Sequence, residues 1–385
     1  MSNSSIAKQF IKICEKINTG SLSVKTPEGE RLSFGEGTPE AELIIHNWAM
    51  VPIIAERGDV GLGETYVSGY WETPDLEKLL TLLLKNENLS QSMSAGAYLQ
   101  RMIFWATNTI FRRNNRAGSR KNIKNHYDVG NDFYRLWLDD TMTYSSALFD
   151  SDENCLEHAQ HSKYARLLSL LPRNAESVLE IGCGWGGFAE QAANEGRAVT
   201  GVTVSNAQLE YARTRLGTRA NLMLQDYRDI KGAFDAIVSI EMIEAVGERY
   251  WPQYFQTIKH RLAEGGRAAL QAIIVEDHAF DRYRRQSDFI RQYTFPGGML
   301  IPPQAIKSCA ERCGLKVDNM HRFGKDYATT LREWRKRFDA AENKIRALGH
   351  GDEFLRSWRY YFDFCAAGFS HGKLINVAQI SLSHA

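Results

Sequence analysis

Val178-Leu179-Glu180-Ile181-Gly182-Cys183-Gly184-Trp185-Gly186-Gly187 decides the fold of this chain. Val178 to Ile181 reads as the end of a buried strand. The glycines after it allow a tight turn and a close approach of backbone to a ligand. Phe188 to Ala193 reads as the helix that packs back on the sheet. A strand, a glycine-rich turn and a helix build a nucleotide pocket lined with backbone N–H groups. Further strand candidates follow at Ala198–Thr203, Asn221–Leu224, Ala236–Ile240 and Arg267–Ile274, with helical stretches between most of them. This alternation predicts an α/β fold, a doubly wound and mainly parallel sheet, from about Asn122 to the end. Ligands of such sheets lie beyond the carboxyl ends of the strands.

The identity of the nucleotide turns on where the acid sits. Gly182, Gly184 and Gly187 fit G-x-G-x-x-G, which alone is a weak dinucleotide signal. A dinucleotide site needs an acid about 20 residues on, for the ribose. The second strand, Ala198 to Ser205, carries none. The acid stands before the glycines instead, at Glu180. An acid there suits S-adenosylmethionine, whose ammonium and sulfonium are cations, and does not suit a pyrophosphate. Glu180, Gly182 and Gly184 should then surround the methionine end. Thr203, Ser205 and Gln208 offer neutral groups to the ribose hydroxyls. Gln225, Asp226 and Tyr227 offer an amide, an acid and an aromatic face to the adenine. Singly, Ser205 and Asp226 are ordinary capping types; the ordered set after three successive strands points to one cofactor.

Composition bounds the rest. With 385 residues, two lobes are the natural expectation. A net charge of +1 speaks against a nucleic-acid-coating surface, and no nucleic-acid partner is expected. Six scattered cysteines suit reduced thiols in a cytosol, and no C-x-x-C pair accompanies Cys309 and Cys313 to make a zinc site. The N-terminus lacks the apolar core of a secretion signal, and Leu79 to Leu84 is too short to span a bilayer. The expected location is therefore cytoplasmic, with any membrane contact peripheral.

Residues 1–113 read as a small α+β lobe. Leu22–Thr26 and Arg31–Gly35 flank the turn Pro27 to Glu30 as a hairpin, and Glu42–His46 adds a third strand. Thr73-Pro74 reads as the cap and first turn of a helix carrying Leu76, Leu79, Leu80 and Leu83. Arg101 to Lys124 holds seven basic residues, no acid, and several aromatics. It reads either as a surface that docks on an anionic bilayer or as an interdomain helix with a solvated basic linker. Residues 114–121 are the expected linker and 122–385 the catalytic domain.

Ile123 to Tyr134, Met142 to Ala147, the glycine loop, Ser239 to Gly247 and Phe323 to Tyr327 together resemble one family. It comprises the cyclopropane-fatty-acyl-phospholipid synthases and the mycolic acid cyclopropane synthases. The resemblance implies a Rossmann-like methyltransferase domain that moves the methyl of S-adenosylmethionine to a double bond in an acyl chain. Tyr144 and Ser145 then fall at the cofactor. The resemblance also implies a bound bicarbonate as base, held by a cysteine, a glutamate, a histidine, an isoleucine and a tyrosine. The matching positions here are Ser146, Glu244, Gln271, Ile273 and Tyr327, so a serine and a glutamine replace thiol and imidazole. Both still donate hydrogen bonds, but a titratable relay is lost. Cyclopropane formation leads; methylation without ring closure, giving a methyl-branched or methylene chain, is the alternative. A non-catalytic lipid-binding protein that keeps the fold is the rival from another class. Phospholipid bilayers with unsaturated chains are the expected partner, and the first lobe is assigned to docking or to a homodimer. Phe289 to Leu300 reads as an acyl-channel lining, with Arg282, Arg284, Arg285 and Arg291 toward phosphate headgroups.

Overall fold

The computed structural model describes residues 3–86, 129–150 and 155–385. The chain divides into two compact units: Met1–Phe111 with Arg282–Pro296 and Glu342–Gly372, and Arg112–Asp281 with Gly297–Ala341 and Lys373–Ala385. A single cut near residue 114 does not describe this division. Two segments expected in the catalytic domain, 282–296 and 342–372, belong to the first unit. Their apolar residues complete its core: Phe289 and Tyr360 bury with Trp71, Leu79 and Leu80. The linker at 114–121 and the basic segment 101–124 lie outside the described residues.

In the first unit, β1 (Gly20–Lys25) pairs antiparallel with β2 (Arg31–Glu36), Leu22 facing Phe34. Thr26 N–H donates to Glu30 O and Gly29 N–H to Thr26 O, which closes the hairpin. β3 (Glu40–Ile45) runs parallel to β1, and the short β4 (Trp71–Glu72) completes the order β2-β1-β3-β4. The following helix spans Leu76–Lys85, and its cap is Asp75, whose side chain accepts from Lys78 N–H. Thr73 was the expected cap. Asp75 takes that place because its carboxylate reaches the third residue of the helix directly, while the Thr73 hydroxyl, two residues earlier, accepts from Asp75 N–H.

The second unit is the sheet β10-β11-β9-β8-β5-β6-β7. β5 (Ser177–Ile181), β6 (Ala198–Thr203), β7 (Ala220–Leu224), β8 (Phe234–Ile240) and β9 (Leu262–Val275) are parallel, as their alternation with helices predicts. Val178, Leu179, Ile181, Ile237 and Val238 are fully buried because helices cover both faces. Two strands go beyond the expected five: β10 (Leu315–Arg322) and β11 (Ile375–His384), with β11 antiparallel to β9 and to β10. Gln379 and Ser381 break the apolar pattern of β11, and both are buried. The Gln379 amide bonds Gln271 Oε1 and Lys163 O, so the polar group is satisfied inside the sheet.

Candidate functional site

Strand register brings the site together. Ile181 of β5 lies opposite Ser239 of β8, and Ile240 of β8 opposite Gln271 of β9. Glu180 itself pairs with Val238, three residues before Glu241, and Gln271 stands across from the last residue of β8, so all three lie toward the carboxyl ends of β5 and β8, where an open α/β sheet binds its ligand.

The cofactor half begins at Glu180. It is buried, and its Oε2 has no hydrogen-bond partner. Burial pushes its carboxyl up to about 8, against the opposing pull of Lys163 and the Ala189 N–H. A buried carboxylate oxygen short of donors suits a cationic ligand group. Gly182 (φ 83°) and Gly184 (φ 50°) sit in the left-handed region. A Cβ on Gly182 would come within 2.9 Å of Met242 Cγ, while one on Gly184 would project into open space beside the strand ends. The loop is thus tight on one side and open on the other, which fits the methionine end of S-adenosylmethionine. At the end of β6, Thr203 Oγ1 donates to Gln208 Oε1 and accepts from Ser205 N–H, and Ser205 caps the helix Asn206–Leu216. These three residues form one buried polar group. Gln225 N–H donates to Thr203 O, joining the β7 end to it. Asp226 is buried and already holds Arg228 through both oxygens, at 2.8 and 2.6 Å. The Tyr227 hydroxyl has no hydrogen-bond partner. Ser145 Oγ accepts from Lys163 at 2.8 Å, and Tyr144 packs against Tyr134, Trp137 and Trp334.

The other half converges on a residue that the sequence reading passed over. Ser146 N–H (2.8 Å) and Gln271 Nε2 (2.9 Å) donate to Glu241 Oε1, and the Tyr327 hydroxyl (2.7 Å) donates to Glu241 Oε2. Ser146 uses its backbone N–H; its hydroxyl turns to Ala147 O. Gln271 is fixed on every side: Nε2 also reaches Ser146 O, and Oε1 accepts from Gln379. Glu244 bonds elsewhere, accepting the Ile273 N–H through Oε1, while its Oε2 is buried without a partner. Ser146, Gln271 and Tyr327 therefore share one centre, and Glu244 and Ile273 form a separate pair.

Burial pushes the Glu241 carboxyl up, opposed by its bonds to Gln271 and Tyr327 and by Lys163. Burial, then repulsion from Glu241, pushes Glu244 up to about 8. Lys163 is fully buried, and burial brings its ammonium down to about 7 against the pull of Glu241, Asp139 and Glu180. Lys163 was also passed over. It lies four residues after Ala159 and four before Leu167 on the buried face of the helix Leu156–Ser169, which is the signal that marks it. For Glu241 the signal was its place directly after the last apolar residue of β8. An aromatic cluster surrounds the same region: Trp137 meets Trp334 at 5.6 Å between ring centroids, and Trp334 meets Tyr327 at 6.1 Å.

Phe289 and Arg291 do not fit their expected roles. Phe289 is buried against Tyr360, and Arg291 is buried, bonded to Asp288 at 2.8 Å and to Tyr283 O. An arginine so enclosed cannot meet a headgroup; Arg282, Arg284 and Arg285 are exposed.

Comparison with known proteins fits this geometry. The family model for mycolic acid cyclopropane synthetase matches residues 114–380. The chain belongs to this family. Members of it lie close in sequence: a tuberculostearic acid methyltransferase of Mycobacterium tuberculosis is 36% identical over 89% of this chain and 85% of its own length. The cyclopropane-fatty-acyl-phospholipid synthase of Escherichia coli is 32% identical over 86% of this chain and 85% of its own. The solved mycolic acid cyclopropane synthase CmaA1, crystallised with S-adenosylhomocysteine, is 28% identical with a TM-score of 0.64, over 68% of this chain and 97% of that one. The protein is accordingly a methyltransferase that uses S-adenosylmethionine, of cyclopropane synthase type. No helix among the described residues is long and apolar enough to cross a membrane.

Proposed function

We propose that this methyltransferase acts on the double bond of an unsaturated acyl chain in a membrane phospholipid, with closure to a cyclopropane as the leading product. One observation supports this reading above the others. A carboxylate held by three donors stands at the strand ends beside the acid that suits the cofactor, with aromatic rings packed around it. Bound at the glycine loop, S-adenosylmethionine supplies an electrophilic methyl group. An alkene is a weak nucleophile, so the site must hold it in line and exclude water. The faces of Tyr144, Trp137 and Trp334 suit the positive charge left on the chain. The polar centre at Glu241 suits removal of a proton from the new methyl group.

A second reading is methylation without ring closure. Gln271 standing where the family has an imidazole favours it, as does similarity across most of the chain to a tuberculostearic acid methyltransferase. Peripheral docking on an anionic bilayer by the basic segment 101–124 belongs to the same proposal. Lipids from a host expressing the chain should gain one CH2 per modified acyl chain, and proton resonance should show ring methylenes. Unaltered unsaturated chains would reject the reading. Sedimentation with anionic vesicles should weaken with added salt, at about 1 kcal/mol per cation near the surface; salt-insensitive binding would remove the docking role.

A further inference from the structure

We propose that Glu241 is the resident base of this reaction and stands where the family resemblance puts a dissolved bicarbonate; the inference rests on the acyl-methylation reading above. Of the five residues expected to hold that anion, Ser146, Gln271 and Tyr327 all donate to the Glu241 carboxylate. The other two, Glu244 and Ile273, bond to each other. A planar O–C–O group therefore already fills the cradle, and it is part of the chain. A second anion beside it would meet like charge from the Glu241 carboxylate. The backbone supports the same conclusion. Glu241 has φ 47°, a conformation that L side chains rarely adopt and that persists only where the surroundings over-determine it. Its own N–H is anchored to Gln271 O at 2.7 Å. The strain serves to turn the side chain under its three donors.

The step balances with this group alone. The alkene pair forms the new C–C bond as the donor's C–S bond breaks, and positive charge remains on the neighbouring chain carbon. A C–H bond of the new methyl then breaks. Its electron pair closes the ring onto the cationic carbon, and its proton goes to Glu241. Oε2 carries one hydrogen bond against two on Oε1, so it is the oxygen with the freer lone pair. The proton then passes to solvent. Should the cation first move by a hydride shift, the same oxygen takes the same proton and the pair forms a methylene double bond.

The test uses the full chain, S-adenosylmethionine and vesicles of dioleoylphosphatidylglycerol in buffer freed of carbon dioxide. Wild type should turn over equally with and without added bicarbonate. Glu241→Gly relieves the backbone and empties the cradle. It should lose about a hundredfold or more, and regain activity as bicarbonate is added. Glu241→Gln should lose as much and regain nothing, because its amide still fills the place. S-adenosylhomocysteine should bind all three proteins within a few-fold, which reports an intact fold. Titration with bicarbonate alone reads the cradle without turnover: the glycine variant should bind it and wild type should not. Wild-type activity that collapses without bicarbonate and returns with it would overturn the proposal, as would a fully active Glu241→Gln or bicarbonate binding by wild type. If wild type methylates no lipid in any buffer, the acyl-chain reading fails, and the bicarbonate titration still decides what fills the cradle.

Discussion

Two carboxylates at adjacent strand ends, Glu180 of β5 and Glu241 after β8, are prepared in opposite ways. Glu180 is buried with one oxygen lacking any hydrogen-bond partner and its carboxyl raised to about 8. Glu241 is held by a backbone N–H, an amide and a phenol. The difference fits the two jobs proposed for them. A carboxylate that receives a cationic ligand is left short of donors, so that the ligand offsets the cost of its burial. A carboxylate that handles a proton is oriented by donors, and its affinity for that proton is tuned by them.

The largest expected effect breaks the Glu241 side. Glu241→Gln should cut lipid methylation about a hundredfold or more, the usual scale for a lost general base, with S-adenosylhomocysteine affinity within a few-fold by calorimetry. Parallel losses of turnover and affinity would erase the contrast. On the other side, Glu180→Gln should weaken cofactor binding by about tenfold to a hundredfold, since a hydrogen bond to a charged group contributes ~1.5–3 kcal/mol. Wild type should also release protons on binding the cofactor near neutral pH. The free carboxyl holds its proton up to about 8, and a cation beside it favours the ionised form. Calorimetry in two buffers of different ionisation enthalpy reads that release; identical heats would contradict it.

A smaller change sharpens the Glu241 side. Tyr327→Phe removes the donor to Oε2 at 2.7 Å. Loss of a bond to the charged form raises the carboxyl's pKa, so the acid limb of the turnover profile should move to higher pH, with about a tenfold loss at neutrality. An unshifted limb would show that the phenol does not serve Glu241.

The smallest effect concerns Glu244, raised from 4.5 to about 8 by burial and by Glu241. The folded protein keeps a proton there that the unfolded chain gives up. That stabilisation is complete below the unfolded value and is lost as pH climbs through about 8. Lys163, lowered from 10.5 to about 7, acts in the opposite sense between those values, so only a mutant comparison isolates Glu244. Between about pH 5.5 and 8.5 the melting temperature should fall further in wild type than in Glu244→Gln. Parallel curves would show that Glu244 does not titrate in this range.

The parallel sheet and the glycine loop were legible because buried strands and left-handed turns leave local signatures at Val178–Ile181 and Gly182–Gly184. β11 was not, because its polar Gln379 is satisfied by Gln271 and Lys163, partners more than a hundred residues away. The division of the chain was missed for a similar reason. Phe289 and Tyr360 join a core built mostly from residues 10–82, and no local pattern announces such a return. At the site, Ser146, Gln271 and Tyr327 were named through the family resemblance, but their common partner was not. Glu241 lies three residues before Glu244 in the same motif, and the hydrogen bonds that distinguish the two come from β9, from the helix Gly324–Ala340 and from the loop before the helix Leu156–Ser169.

The most direct measurement follows a fully deuterated methyl group from S-adenosylmethionine into unsaturated phospholipid vesicles, read by gas chromatography with mass spectrometry. The account requires one added carbon per modified chain with two deuteriums retained, because Glu241 takes the third from the new methyl. Three retained deuteriums would place the lost proton on the chain instead and contradict the role given to Glu241.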